Sequence, residues 1–313
     1  MQLPSLTELP KIIVISGPTG SGKTGLAIEL ARRLDGEIIG ADSMQIYRYM
    51  DIGTAKPTPA EQAAAVHHMI DVVDPDADFD AAMYAEGAGL AVRKIIARGR
   101  LPLVVGGTGF YIKALIYGLF EEGPSNPEIR RQLNREAQEK GSPRLHWQLS
   151  AVDPQAGDKI HPNDTYRIVR ALEVFRITGQ PLSEYQRRHS FQQPQFNPLT
   201  VGVNWPRPIL YDRINRRVDL MMAEGFEAEV RGLLAEGYGR GLKSMQSLGY
   251  RHLSAFIAGE ASLEETVQTL KRDHRRYAKR QLTWFRSNSA VHWTTPEKPQ
   301  DAVERIQRFF HQR

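Results

Sequence analysis

Apolar residues first arrive in short unbroken runs. Ile12-Ile13-Val14-Ile15 and Leu101-Pro102-Leu103-Val104-Val105 are too continuous for half-exposed strands and predict buried parallel ones. Glu37-Ile38-Ile39-Gly40 and His68-Met69-Ile70-Asp71-Val72-Val73 predict two more. Between them the spacing turns helical: Leu26, Ala27, Leu30, Ala31 and Leu34 share a face, Ala81 to Arg98 repeats the pattern, and Phe110 to about Tyr117 follows the Val105 strand. Around Gly118–Pro124 this alternation stops. From Asn126 to Arg188 the pattern is helical throughout (Glu128–Glu139, Arg144–Ser150, Thr165–Thr178, Leu182–Arg188). Strand character returns at Leu199-Thr200-Val201-Gly202-Val203-Asn204-Trp205. A long helical pattern then spans Ile209–Glu236, with a break at Gly225, and a final one covers Ser262–Arg286. The organisation predicted is a discontinuous α/β core, residues 1–119 and 199–313, carrying a mostly helical insertion at 120–198.

The turn after the first strand defines the chemistry. Gly17-Pro18-Thr19-Gly20-Ser21-Gly22-Lys23-Thr24 reads G-x-x-x-x-G-K-[ST], a Walker A sequence in its proper strand–turn–helix context. The core is therefore expected to be a P-loop NTPase-like parallel sheet with flanking helices. Backbone N–H groups and the helix dipole would converge on a di- or triphosphate, Lys23 would add a charge, and Thr24 would offer its hydroxyl to Mg²⁺. Asp42, in Ala41-Asp42-Ser43-Met44-Gln45, stands beyond the second strand, where ligands gather in open α/β sheets. It is equally suited to cap a following helix. The fourth strand ends not in a Walker B acid but in Gly106-Gly107-Thr108-Gly109, a second small-residue lip or a tight turn. Tyr47–Pro59 reads as a loop. His67 and His68 point to opposite faces of a strand and lack ligand spacing, which favours a structural role over metal binding.

Composition adds limits. With 41% hydrophobic and 25% charged residues, the 313-residue chain is ordinary globular material. It has no cysteine, which excludes disulfides, thiolate metal sites and cysteine nucleophiles, and fits a cytoplasmic setting. Met1–Pro10 shows no secretory pattern, and no apolar run approaches the ~18 residues of a membrane span. The net charge of +5 is a mild pointer to an anionic partner. Its distribution is more telling. Lys271, Arg272, Arg275, Arg276, Lys279, Arg280 and Arg286 face a single acid, Asp273, with Tyr277, Trp284 and Phe285 interleaved, the footprint of a nucleic-acid partner. Arg213 and Arg217, four apart on one face, suit a pyrophosphate, with ion pairs to Asp212 and Asp219 as the plainer alternative.

Taken together, these blocks resemble the tRNA dimethylallyltransferase (tRNA isopentenyltransferase) family. The resemblance runs from Gly17–Thr24 through Asp42-Ser43-Met44-Gln45-Ile46-Tyr47-Arg48, Asp51-Ile52-Gly53-Thr54-Ala55-Lys56-Pro57 and Val105-Gly106-Gly107-Thr108-Gly109-Phe110-Tyr111. It continues through Asp164-Thr165-Tyr166-Arg167-Ile168-Val169-Arg170-Ala171-Leu172-Glu173, Arg213–Val218 and Leu248–Arg251, and closes at Ala278–Arg286. Phe191–Pro198 matches none of it.

The resemblance implies transfer of a dimethylallyl group from dimethylallyl diphosphate to the exocyclic amine of the adenosine at tRNA position 37, in tRNAs reading codons that begin with U. It implies Mg²⁺ and release of diphosphate. On this view Gly17–Thr24 cradles the diphosphate, Lys23, Arg217 and Mg²⁺ on Thr24 neutralise its charge, Thr19 adds a hydroxyl, and Asp42 takes the amine proton. Thr108 holds either the amine or the diphosphate. The implied tRNA contacts are Asp42-Ser43-Met44-Gln45, Thr108, Arg130, Tyr166-Arg167-Ile168-Val169-Arg170, Ser247-Leu248-Gly249-Tyr250-Arg251-His252 and Lys279-Arg280-Gln281-Leu282-Thr283-Trp284-Phe285-Arg286. The insertion would clamp the anticodon stem-loop, and a cytoplasmic monomer is expected. A small-molecule kinase and a nucleic-acid-dependent ATPase remain open on the residues alone. The kinase leaves the basic helix and the missing acid unexplained.

Overall fold

The computed structural model describes residues 9–119, 126–189 and 193–311. Most of Met1–Pro10, part of the expected boundary at Gly118–Pro124 and the start of Phe191–Pro198 lie outside the described residues. The first unit opens with β1 (Lys11–Ser16), α1 (Lys23–Arg33), β2 (Gly36–Gly40), α2 (Pro59–Ala64), β3 (His67–His68), α3 (Ala81–Ala97), β4 (Leu101–Gly106) and α4 (Gly109–Tyr117). The insertion holds α5 (Pro127–Lys140), α6 (Ser142–Val152), α7 (Pro154–Lys159), α8 (Thr165–Thr178) and α9 (Leu182–His189). The chain then returns through β5 (Asn197–Val203), α10 (Arg207–Ala223), α11 (Phe226–Ala235), α12 (Tyr250–Ile257), α13 (Leu263–Arg286), β6 (His292–Thr294) and α14 (Pro299–His311).

The six strands form one parallel sheet in the order β3-β2-β4-β1-β5-β6. Ile13 and Ile15 of β1 join Leu103, Val201 and Val203 in a core closed by Leu26 and Leu30 of α1 and Val303 and Ile306 of α14. Ile12 and Val14, of the opposite parity, are equally buried. Both faces of the sheet are thus covered, and the strands read as unbroken apolar runs for that reason.

The register places the functional turns together. Ser16 stands opposite Gly106, and Gly40 opposite Val105. The turns leaving β1, β2 and β4 therefore emerge side by side at the carboxyl edge of the sheet.

Compact packing separates Met1–Tyr117 with Pro194–Arg313 from Gly118–Gln193. The core resumes a few residues earlier than 199, because the Gln195 N–H bonds the Ile116 carbonyl and Asn197 already pairs in β5. The insertion has its own core, built on Leu133, Leu145, Leu149, Ile168 and Leu172.

Two expectations needed correction. The strand expected over His68–Val73 ends after His68. Met69 and Asp71 turn through positive φ, and the N–H groups of Asp71, Val72 and Val73 go to the carbonyls of Gln45 and Ile46. The chain also does not finish with α13. β6 extends the sheet beside β5, and α14 covers the core with Ala302, Val303 and Ile306. Gly225, at φ 98, separates α10 from α11 where the break was expected.

Candidate active site

At the carboxyl edge the first unit contains a cavity of about 310 Å³. Its walls include Thr19, Lys23 and Thr24, the 42–45 turn, Gly106, Arg217 of α10, and His274, Tyr277, Arg280 and Gln281 of α13. The loop geometry follows from its glycines. Gly20 and Gly22 sit at φ 77 and 90, where an L side chain is strained. Gly22 gives α1 no side-chain cap, so the first-turn N–H groups of the helix are left for an anion. Lys23 Nζ donates to the Pro18 carbonyl at 2.8 Å. Burial, joined by the like charge of Arg217 and opposed by Asp42, lowers its pKa to about 8. Burial likewise works against the Arg217 charge, with Asp42 countering it.

Lys23, Arg217 and Arg280 thus bring three cations to a cavity whose one carboxylate among the described residues is that of Asp42. Among the described residues no group of three or more His, Asp or Glu side chains could hold a metal by itself.

Asp42 caps no helix. Its Oδ1 accepts the Met44 N–H at 2.9 Å and shapes a short turn. Thr108 ties that turn to β4: its Oγ1 accepts the Ser43 N–H at 3.1 Å, and its own N–H donates to the Ala41 carbonyl. The lip beside it is glycine because side chains from α13 occupy the Cβ positions. A Cβ on Gly107 would collide with the Gln281 amide, and one on Gly109 with the Trp284 indole. Arg217 reaches the cavity, whereas Arg213 donates to the Gly20 carbonyl at 2.9 Å from outside and covers the Trp205 ring. Asp212 pairs with Arg216 rather than with either.

The Asp51–Pro57 stretch is scaffold. Glu229 of α11 accepts the N–H groups of Asp51, Ile52 and Gly53 and the hydroxyl of Tyr250, the last at 2.5 Å. Lys56 is buried between the Tyr47 carbonyl, Asp51 and Asp71. The loop held in this way receives Gln45, whose amide donates to the Thr54 and Ala55 carbonyls. Sequence reading missed Glu229, one of two acids in the first turn of α11 and more than 170 residues from the N–H groups it accepts. It also passed over His274, and it read Tyr277 as an aromatic of the nucleic-acid footprint where the fold places it in the cavity wall. Burial, aided by Arg217, lowers the His274 pKa to about 4, so the imidazole is neutral near pH 7. Burial and then the Asp42 charge push the Tyr277 phenol up. His68 bonds Glu37 at 2.6 Å and His67 bonds the Ala65 carbonyl, the structural roles expected of them.

Exposure divides the expected tRNA contacts. On α13, Lys271 pairs with Asp219, Arg272 and Arg276 share Asp273, and Arg275 bonds the Asn215 amide, so the cations in the middle of the helix are tied to neighbouring side chains. Lys279, Arg280, Thr283, Trp284 and Arg286 are exposed. Among the described residues, Lys279, Arg280 and Arg286 have no acidic partner. Gln281 and Phe285 are buried on the inner side, and Leu282 packs beside Leu210 and Ile214. Tyr250 is fully buried, so its side chain belongs to the scaffold rather than the surface. Ser247 and Leu248 line the cavity, Gly249 is buried, and Arg251 and His252 bond Asp273.

Within the insertion, Tyr166 is 80% exposed and Arg167 pairs with Asp164, while Ile168 and Val169 are core. Arg130 and Arg170 both turn to the buried Glu173, at 2.9 and 3.0 Å.

Fold and site define an α/β protein whose parallel sheet ends, at its carboxyl edge, in one cavity lined by the glycine-rich first turn, Lys23, Arg217 and the carboxylate of Asp42. The IPP transferase family model matches residues 45–288, and the isopentenyl transferase model residues 10–71. The chain is 52% identical to a tRNA dimethylallyltransferase of Desulfosudis oleivorans over 94% of both chains, and 48% identical to one of Geobacter sulfurreducens over 95% of both. Among solved structures, the tRNA isopentenylpyrophosphate transferase of Bacillus halodurans is 40% identical and superposes with a TM-score of 0.71 over 95% of both chains. A eukaryotic dimethylallyltransferase acting on tRNA is 29% identical, with a TM-score of 0.74 over 88% of this chain and 69% of its own. The chain belongs to the tRNA dimethylallyltransferase family.

Proposed function

We propose that this protein transfers a dimethylallyl group from dimethylallyl diphosphate to the exocyclic amine of adenosine 37 in tRNAs reading codons that begin with U, releasing diphosphate. The observation that carries this reading is the placement of Asp42, Lys23 and Arg217 on the walls of one cavity whose β4 lip bears no acid. A phosphoryl-transfer site would need that acid for its metal. A site whose electrophile is carbon needs cations on the leaving group and a base on the nucleophile.

The diphosphate lies on the Gly17–Thr24 loop. Lys23 and Arg217 stabilise the negative charge that grows as its C–O bond breaks, the largest electrostatic demand of the displacement. The adenine nitrogen forms the new N–C bond, and Asp42 receives its proton. An aryl amine is a poor nucleophile, and a positioned base is typically worth ~10²–10⁴-fold. Thr108 acts through the Asp42 turn that it anchors. The adenine must leave the anticodon-loop stack, at a cost of roughly a few kcal/mol, and Met44 and Gln45 border the space that receives it.

The residues present fit Mg²⁺. The Thr24 hydroxyl lines the cavity and makes no hydrogen bond to a described residue, and this ion binds through substrate phosphates with few protein ligands. When bound, Mg²⁺ supplies charge neutralisation on the diphosphate.

The cytoplasm is the proposed setting, in keeping with a cysteine-free chain and with no described helix long and apolar enough to cross a membrane. A monomer is the proposed state.

Incubation with unmodified tRNA, Mg²⁺ and labelled dimethylallyl diphosphate tests the reading. Label is expected in RNA, and ATP consumption without labelled RNA would overturn it. Asp42→Ala is expected to lower turnover ~10²–10⁴-fold with tRNA binding retained. Normal turnover in that variant removes Asp42 as the base.

A further inference from the structure

Gln281 was expected at the RNA surface, yet it is only 6% exposed. Both ends of its carboxamide are engaged inside the molecule. Oε1 accepts the Thr19 N–H at 2.8 Å, and Nε2 donates to the Gly107 carbonyl at 3.0 Å. Thr19 belongs to the diphosphate loop after β1 and Gly107 to the turn after β4. One side chain therefore spans two of the three turns that build the cavity.

We propose that Gln281 is a positioning residue for prenyl transfer, fixing the diphosphate loop against the turn that carries Thr108 and, through it, Asp42. The proposal rests on the transfer reaction argued above. The line of contacts is continuous. Thr19 bonds Gln281, Gln281 bonds Gly107, and the next residue, Thr108, holds the Ser43 N–H beside Asp42. Tyr277, one helical turn earlier on the same side of α13, lies close enough to Thr108 and Gln281 for its hydroxyl to interact with both. The absent Cβ of Gly107 makes room for the amide.

Glutamine suits this place by its chemistry. It offers one acceptor to an N–H and one donor to a carbonyl. Glutamate would set a second acceptor against the Gly107 carbonyl, and leucine would leave the Thr19 N–H and Gly107 carbonyl unpaired. The outer side of the same helix carries Lys279, Arg280 and Trp284 in the open, so α13 joins the proposed RNA face to the leaving-group site through this residue.

The test compares wild type, Gln281→Leu and Gln281→Glu in three measurements: steady-state transfer, tRNA affinity by filter binding, and Mg²⁺–pyrophosphate affinity by calorimetry. For Gln281→Leu we expect kcat to fall ~10²-fold, the cost typical of an ångström-scale misplacement, with pyrophosphate binding weaker and tRNA affinity within about twofold of wild type. Gln281→Glu keeps the Thr19 bond and should lie between the two.

Unchanged kcat and pyrophosphate affinity, or a loss confined to tRNA affinity, overturns the proposal. If the leucine variant does not fold, the near-isosteric glutamate variant decides on the same readings, with wild-type values in all three overturning the idea. If wild type binds pyrophosphate but labels no tRNA, the transfer reading fails by itself, and the pyrophosphate series still decides the role of Gln281.

Discussion

At the residue scale, the site works by holding charge where charge is costly. Lowering the Lys23 pKa from 10.5 to about 8 corresponds to ~3 kcal/mol against the ammonium form in the free protein. On the proposed reading a bound diphosphate offsets that penalty, so the charge is strongest where the leaving group needs it. The sign follows directly. The folded pKa lies below the ordinary one, the protonated form binds the anion, and binding is lost as pH rises through about 8. We expect kcat/KM for the prenyl donor to fall about tenfold per pH unit above that point, and the limb in kcat, which reports the complex, to lie higher. Lys23→Arg should remove the limb from kcat/KM, and a profile unchanged by that substitution would assign it to another group. The motif announced Lys23 and Thr24 by spacing alone. Glu229 stayed hidden because its three N–H partners are remote in sequence and an acid on a helix normally faces water.

At the element scale, α13 shows why a charge count is not an interface. Seven cations stand against Asp273 in the sequence. In the fold, Lys271, Arg272 and Arg276 meet acids and Arg275 bonds the neutral Asn215 amide, whereas Lys279, Arg280 and Arg286 at the carboxyl-terminal end are exposed and have no acidic partner among the described residues. Lys279→Ala and Arg280→Ala should each weaken tRNA binding and reduce the slope of log K against log salt by roughly 1. Arg276→Ala should leave the slope nearly unchanged, because its charge is already shared with Asp273. Equal slopes for all three in filter-binding titrations would remove this end of the helix from the interface. The helix itself was legible from its apolar spacing. Its start at Leu263 is set by a reciprocal Ser262–Glu265 capping box.

At the scale of the whole molecule, two cores are built separately from one chain. Glu173 anchors the second. Its carboxylate is fully buried and receives Arg130, Arg170 and the Asn126 N–H. Burial by itself would raise its pKa, and these partners together hold it below the ordinary value. Glu173→Ala should destabilise the insertion by ~2 kcal/mol, less than a fully buried pair loses because Arg130 is 42% exposed. Hydrogen exchange should show faster exchange across α5 and α8 with β1, β4 and β5 unchanged. A loss of protection spread equally over both units would contradict their separate packing.

The sequence by itself determined the central strands, most of the helices, the insertion and the glycine-rich turn after β1. These rest on local periodicity and on a backbone motif whose geometry is written in consecutive residues. It also carried Asp42, since a residue just past a buried strand has few places to go. Only the tertiary structure decided which cations remain free, that Arg217 and not Arg213 enters the cavity, that Tyr250 and Gln281 turn inward, and that β6 and α14 complete the sheet and its cover. Each of these depends on a partner distant in the chain, and burial and charge pairing are properties of the packed molecule rather than of any segment.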